Sequence, residues 1–247
     1  MSLDAAHACV VDLDGVVWLA GEALPGAAAG VDELRRRGVP ILFATNNAAP
    51  SIDELRGRLE AIGIHATERE LATSAQSAAA LLDPGQRVHA VGEAGLVEAL
   101  DQRGTTRSDA SPDAVVVGLA RDFDYDTCDR AAALIRGGAR FIATNLDPTL
   151  PTPTGLRPGA GAIVAAIATA SGREAEVAGK PSAAMVRYVA GRVRPGAVIG
   201  DRPSTDGALA AALGVPFALV ASAVDEAAPA DAVRAATLLD AVLALCA

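Results

Sequence analysis

Two carboxylates, Asp12 and Asp14, stand one residue apart where the apolar run Val10-Val11 ends, and Gly15 then lets the chain turn. Like charges this close cost free energy that a cation offsets. The run Asp12-Leu13-Asp14-Gly15 therefore suits a metal-supported carboxylate nucleophile with a second acid beside it. Three more polar groups close or follow other apolar stretches: Thr45-Asn46-Asn47, Lys180-Pro181, and Gly200-Asp201-Arg202 followed by Asp206. Singly, each reads as a polar turn or a capped helix start. Jointly they supply the parts of phosphoryl transfer from a monoester, whose barrier is mostly positioning and charge.

In that chemistry Asp12 attacks phosphorus and forms an aspartyl-phosphate. Asp14 protonates the departing alkoxide, then activates water. Mg²⁺ is the expected cation. Carboxylate oxygens of Asp12 and Asp201 and the backbone carbonyl of Asp14 are its expected ligands, with Asp206 behind them or as an alternate ligand. Thr45 offers a hydroxyl, Asn46 and Asn47 offer backbone N–H groups, and Lys180 offers a point cation to the phosphoryl oxygens.

The elements that must hold these groups alternate. Short Val- and Ile-rich runs at 8–13, 40–44, 88–91, 114–117, 141–143, 197–199 and 217–220 read as parallel strands buried on both faces. Helical patterns lie between them, at 26–37, 51–62, 74–82, 93–102, 125–135, 160–170, 182–193 and 204–213. The alternation predicts an α/β fold with a Rossmann-like parallel-sheet core. Ligands of open α/β sheets bind at the carboxyl ends of the strands, and all four polar groups fall there. Breaks near Asp83-Pro84-Gly85 and before Lys180 divide the chain. Residues 1–80 and 180–247 form the core, and 81–179 form an inserted α/β domain.

Composition narrows the partners. The 247 residues are 51% hydrophobic and 21% charged, which suits a globular chain with an ample core. A net charge of −9 opposes nucleic acid and anionic membranes. No apolar run is long enough for a membrane span, and Met1-Ser2-Leu3-Asp4 carries no basic segment of a secretory signal. Cys9, Cys128 and Cys246 are scattered and read as reduced thiols in a cytoplasm.

Taken in order, Asp12-Leu13-Asp14-Gly15, Thr45-Asn46-Asn47, Gly179-Lys180-Pro181 and Gly200-Asp201-Arg202 with Asp206 resemble the four motifs of the haloacid dehalogenase-like phosphatases. The spacing resembles subfamily IIA, the group of NagD-like, 4-nitrophenyl phosphate and glycerol-3-phosphate phosphatases with a large α/β cap between the second and third motifs. Within the insert, 143–147 and 158–161 are also similar to that group. The resemblance implies Asp12 as nucleophile, Asp14 as acid and base, Thr45 and Lys180 on phosphate, and Asp201 on Mg²⁺. It implies a cap that selects the leaving group, and it allows a homodimer. It departs at Val16, where a Thr is common, and at Ser204 and Gly207, where an acid and a branched aliphatic are common.

The expected substrate is a small phosphorylated metabolite: glycerol 3-phosphate, phosphoglycolate, a sugar phosphate or a nucleotide monophosphate. Asn145 and Asp147, just past a strand end in the insert, are the residues expected to meet a leaving-group hydroxyl. The aromatic content of 3% disfavours stacking on a ring. Two other functions use the same residues. A phosphomutase or phosphotransferase passes the phosphoryl group to another hydroxyl, and a non-enzymatic phospho-acceptor module keeps it.

Overall fold

The computed structural model describes residues 3–152, 154–221 and 226–247. The chain divides into two compact units, Met1–Thr45 with Asp53–Ala72 and Val186–Ala247, and Asn46–Ile52 with Thr73–Met185. Each is built on its own sheet, and the expected parallel α/β architecture is present in both.

The sheet of the first unit has six strands in the order Val233–Ala235, Phe217–Val220, Pro195–Gly200, Ala8–Val11, Ile41–Thr45 and Leu71–Thr73. The strand Ala8–Val11 lies parallel to both neighbours, with Val11 opposite Ile199 on one side and Phe43 on the other. All four of its residues are buried, as a strand covered on both faces requires. The helix Ala27–Arg36 buries Ala27, Gly30, Val31 and Leu34, an apolar stripe of helical period. Gly30 lets this helix approach Leu238–Leu245, because a Cβ there would lie 2.7 Å from Leu238 Cγ.

The sheet of the second unit has five strands in the order Glu176–Val177, Arg140–Ala143, Ala114–Val117, Arg87–Val91 and Thr106–Arg107. Its pairs are parallel. Alternate residues feed two apolar cores. Val88, Ala114, Val116 and Ile142 pack with Leu82, Leu96 and Leu100. Val91, Val115, Val117, Phe141 and Ala143 pack with Ile135, Ile163 and Ile167. That alternation is the period of two expected of a sheet covered on both faces. An antiparallel hairpin, Thr149–Thr152 with Gly155–Pro158, precedes the helix Ala160–Ser171.

The structure differs from the sequence reading locally, among other places in short strands such as Leu71–Thr73, Thr106–Arg107 and Glu176–Val177 that the sequence reading does not include. The helix expected over 204–213 is a π-helical turn, Pro203–Gly207, followed by an α-helix, Ala208–Leu213. A strand at Val233–Ala235 and a helix at Leu238–Leu245 complete the chain. The second unit also takes in residues 46–52, 73–80 and 180–185, outside the 81–179 segment that the composition breaks delimit. Among the described residues, no helix is long and apolar enough to cross a membrane.

Candidate active site

Register explains the first cluster. Val11 and Ile199 are partners on adjacent parallel strands, so Asp12 and Asp201 leave the sheet at the same edge. The Asp12 N–H still donates to the Ile199 carbonyl at 2.9 Å, which holds it at the strand end. Asp206 returns to that edge on the π-helical turn. Its N–H donates to the Arg202 carbonyl at 2.8 Å, and its Oδ2 accepts from the Arg202 N–H at 3.2 Å. Asp12, Asp201 and Asp206 are all buried, and one carboxylate oxygen from each lies within 4.8 Å of the others. Two full charges at such a distance repel by about 3 to 4 kcal/mol at an effective dielectric of about 20. Three hard oxygen donors held together against that repulsion form a donor set that fits Mg²⁺.

Two glycines make room. Gly15 has φ +86°, and a Cβ there would fall inside the Asp201 carboxylate. A Cβ on Gly200 would fall inside the side chain of Asp206. The glycines of the first and fourth motifs are thus required by the acids that follow or face them.

Asp14 takes a different environment. It is half-buried, and its carboxylate stands outside the group of three. Its Oδ1 accepts from Trp18 Nε1 at 3.0 Å, and Thr45 Oγ1 lies 3.5 Å from its Oδ2. The turn that aims it is tight: the N–H groups of Val16, Val17 and Trp18 all donate to the Leu13 carbonyl. Thr45, buried, ends the strand beside Ala8–Val11. Trp18 is not among the sequence candidates, because the turn that brings its ring to Asp14 leaves no helical or strand period in the sequence.

The Ser204 departure has a structural answer. The Ser204 N–H and Oγ donate to the two carboxylate oxygens of Glu226, at 2.8 and 2.9 Å. A carboxylate from 22 residues away thus lies against position 204. Gly207 lies against the Phe217 ring, at 3.2 Å for an added Cβ, so a branched side chain has little space there.

The second cluster belongs wholly to the second unit. Val177 pairs with Ala143, so Lys180 and the run Asn145–Asp147 leave neighbouring strands at one edge. Lys180 is buried, and its peptide bond to Pro181 is cis. The Asn46 side chain reaches Lys180 and Asp147. Asn46 Oδ1 accepts from the Lys180 N–H at 2.7 Å, and Nδ2 donates to the Lys180 carbonyl and to Asp147 Oδ2, each at 3.3 Å. The Asn46 carbonyl accepts from Ser74 Oγ at 2.6 Å and Asn145 Nδ2 at 2.7 Å. Asn145 Oδ1 accepts from the Asp147 N–H at 3.0 Å. Asn145 therefore braces its own loop, while Asp147 is half-buried. Asn47 Oδ1 accepts from the Ala49 N–H at 3.1 Å, a local turn.

Comparison with known proteins matches a haloacid dehalogenase-like hydrolase model to residues 9–106 and a related HAD-hydrolase-like model to residues 177–245. D-glycerol 3-phosphate phosphatase of Mycobacterium tuberculosis is 42% identical over 92% of this chain, which spans 66% of that protein's length. Dihydroxyacetone phosphatase of Corynebacterium glutamicum is 34% identical over 88% of this chain and 82% of its own. The crystal structure of a glycerol phosphate phosphatase from Mycobacterium tuberculosis in complex with magnesium superposes with a TM-score of 0.87 at 37% identity, covering 98% of this chain and 78% of that one.

Proposed function

The chain belongs to the haloacid dehalogenase-like hydrolases, and from that premise we propose that it is a Mg²⁺-dependent phosphatase of small phosphate monoesters. The observation that carries this reading is the buried carboxylate group of Asp12, Asp201 and Asp206. Those acids, with the Asp14 backbone carbonyl, would hold the metal. When bound, Mg²⁺ offsets the repulsion between the acids and an anionic ester and withdraws charge from the phosphoryl oxygens.

The side chains divide the work. The Asp12 carboxylate attacks phosphorus as the ester P–O bond breaks. Asp14, kept apart from the carboxylate group and aimed by Trp18, gives its proton to the leaving alkoxide. In the second step Asp14 takes a proton from water, whose oxygen bonds to phosphorus as the Asp12–phosphorus bond breaks. The products are the alcohol and inorganic phosphate, with Asp12 regenerated as the carboxylate and Asp14 as the protonated acid. Thr45 and the N–H groups of Asn46 and Asn47 donate to phosphoryl oxygens, and Lys180 supplies positive charge. Residues 81–179 act as the cap that selects the alcohol. Asp147 is the group that accepts a substrate hydroxyl, with Asn145 bracing it.

The substrate is a three-carbon polyol phosphate such as glycerol 3-phosphate. Support comes from the relatives named D-glycerol 3-phosphate phosphatase and dihydroxyacetone phosphatase and from the scarcity of aromatic side chains. Three cysteines outside any disulfide support a cytoplasmic setting.

The test is phosphate release from a panel of esters, with Mg²⁺ and with a chelator. Glycerol 3-phosphate should be turned over only with the metal, and Asp12→Asn should abolish release. Substantial hydrolysis by that variant would end the assignment of Asp12.

A further inference from the structure

We propose that the Asn46 side chain is a positioning residue that clamps the Lys180 backbone and ties it to the loop bearing Asp147. The inference deepens the phosphatase reading and rests on it for the role of Lys180. An amide side chain has two donor hydrogens and one acceptor oxygen, and Asn46 commits all three. It pairs with both backbone polar groups of Lys180, accepting from the N–H at 2.7 Å and donating to the carbonyl at 3.3 Å. Its remaining hydrogen goes to Asp147 Oδ2 at 3.3 Å. This is how a neighbouring strand would satisfy an extended residue, here done by one side chain from 134 residues away.

The surroundings fix the amide. The Asn46 carbonyl takes hydrogen bonds from Ser74 and Asn145, so the residue's backbone is held as firmly as its side chain. Gly179 carries no side chain because a Cβ would lie 2.6 Å from Asn46 Oδ1 and against the Thr144 carbonyl. The glycine before Lys180 is thus the space through which the amide reaches the lysine backbone. Asn46 also touches both functional parts of the second unit, the lysine proposed for phosphate and the acid proposed for the alcohol. A side chain one methylene longer or shorter, or of another shape, meets fewer of these three partners.

Two measurements on the full chain at saturating Mg²⁺ test this. In the first, hydrogen exchange at the Lys180 amide is followed by NMR in the parent and in Asn46→Ala. The clamp predicts exchange faster by roughly tenfold or more at that amide, the loss of one buried hydrogen bond. Unchanged exchange overturns the clamp. In the second, inorganic phosphate affinity is measured in the parent, Asn46→Ala, Lys180→Met and the double variant. If Asn46 acts through Lys180, its removal weakens phosphate binding by roughly 10- to 100-fold in the parent and adds nothing in Lys180→Met. Equal losses in both backgrounds overturn the positioning role.

Asn46→Asp is the variant of nearly equal shape. It keeps an acceptor for the Lys180 N–H and sets a carboxylate against the Asp147 carboxylate. Adding Asp147→Asn should recover part of the lost affinity, and no recovery overturns the Asp147 link. A parent protein that neither binds phosphate nor releases it from any ester defeats the phosphatase reading. The exchange measurement still decides the clamp in that case.

Discussion

Gly15 and the carboxylate of Asp201 adjoin so closely that no side chain fits between them: an added Cβ would lie 3.1 Å from Asp201 Cβ and nearer still to its carboxylate. Gly15 also has φ +86°, where L side chains cost about 1 to 2 kcal/mol. Gly15→Ala should therefore pay twice, once in stability and once by pushing Asp201 from the acid group. Gly21, at φ +91° with nothing within 4 Å of an added Cβ, isolates the first cost. Gly21→Ala should lower stability in urea by about 1 to 2 kcal/mol and leave Mg²⁺ activation unchanged. Gly15→Ala should lower stability further and raise the half-activating Mg²⁺ concentration roughly tenfold or more, the equivalent of about 1.4 kcal/mol. An unshifted Mg²⁺ curve would remove Asp201 from the metal.

Metal binding and stability are linked through the same three acids. A ligand that binds only the folded state at a hundred times its dissociation constant stabilises by about 2.7 kcal/mol. Denaturant unfolding of the parent should shift by that amount between chelator and saturating Mg²⁺. Asp201→Asn keeps the shape beside Gly15 and removes one charge from the group of Asp12, Asp201 and Asp206. Its Mg²⁺-dependent shift should fall to a small fraction of the parent's. An undiminished shift would mean that the metal binds elsewhere.

The strands that carry the site were legible because parallel strands covered on both faces write contiguous aliphatic runs, as in Ala8–Val11 and Ala114–Val117. The polar residues that end those runs were legible for the same reason: a charge closing a buried strand is out of place unless it does something. The terminal elements were not. Val233–Ala235 is three residues long, and Leu238–Leu245 lies in an alanine-rich tail whose start is marked mainly by Thr237, which accepts from the Asp240 N–H. The π-helical turn at Pro203–Gly207 carries the same residue pattern as an ordinary helix start, and the close approach of Asp206 to Gly200 is visible only in the folded chain. Nor could sequence spacing reveal that Asn46 serves Lys180, or that Glu226 answers Ser204. Those pairs meet only after the sheets have formed.

The Ser204–Glu226 pair makes a prediction with a change of sign. Glu226 receives the first free N–H and the hydroxyl of the turn that carries Asp206. Glu226→Ala should cost about 1 kcal/mol, as loss of a helix cap does, and should weaken Mg²⁺ activation a little. Ser204→Asp places the acid within the turn itself, where the helix dipole favours it. With Glu226 present, the new carboxylate faces a like charge and stability should fall. In the Glu226→Ala background the same substitution should raise stability. Denaturation of the four proteins reads both signs, and Ser204→Asp acting alike in the two backgrounds would refute the pairing.

Acid stability should depend on Glu33, in the helix Ala27–Arg36. Hydrogen bonds from Arg36, at 2.6 and 2.8 Å, and from Arg37, at 2.7 Å, pull its carboxyl down from 4.5 to about 2. A pKa lowered by folding stabilises the charged folded form. The contribution is complete above about 4.5, the unfolded value, and disappears as pH falls through about 2. Arg37 also donates to the Cys246 carbonyl at 2.9 Å, so the same cluster ties down the end of the chain. Glu33→Gln should therefore be less stable than the parent at neutral pH. The gap between the two should close between pH 4.5 and pH 2, as the parent's carboxylate is protonated. Urea unfolding at intervals across that range measures it, and a gap independent of pH would show that the arginines gain nothing from the charge of Glu33.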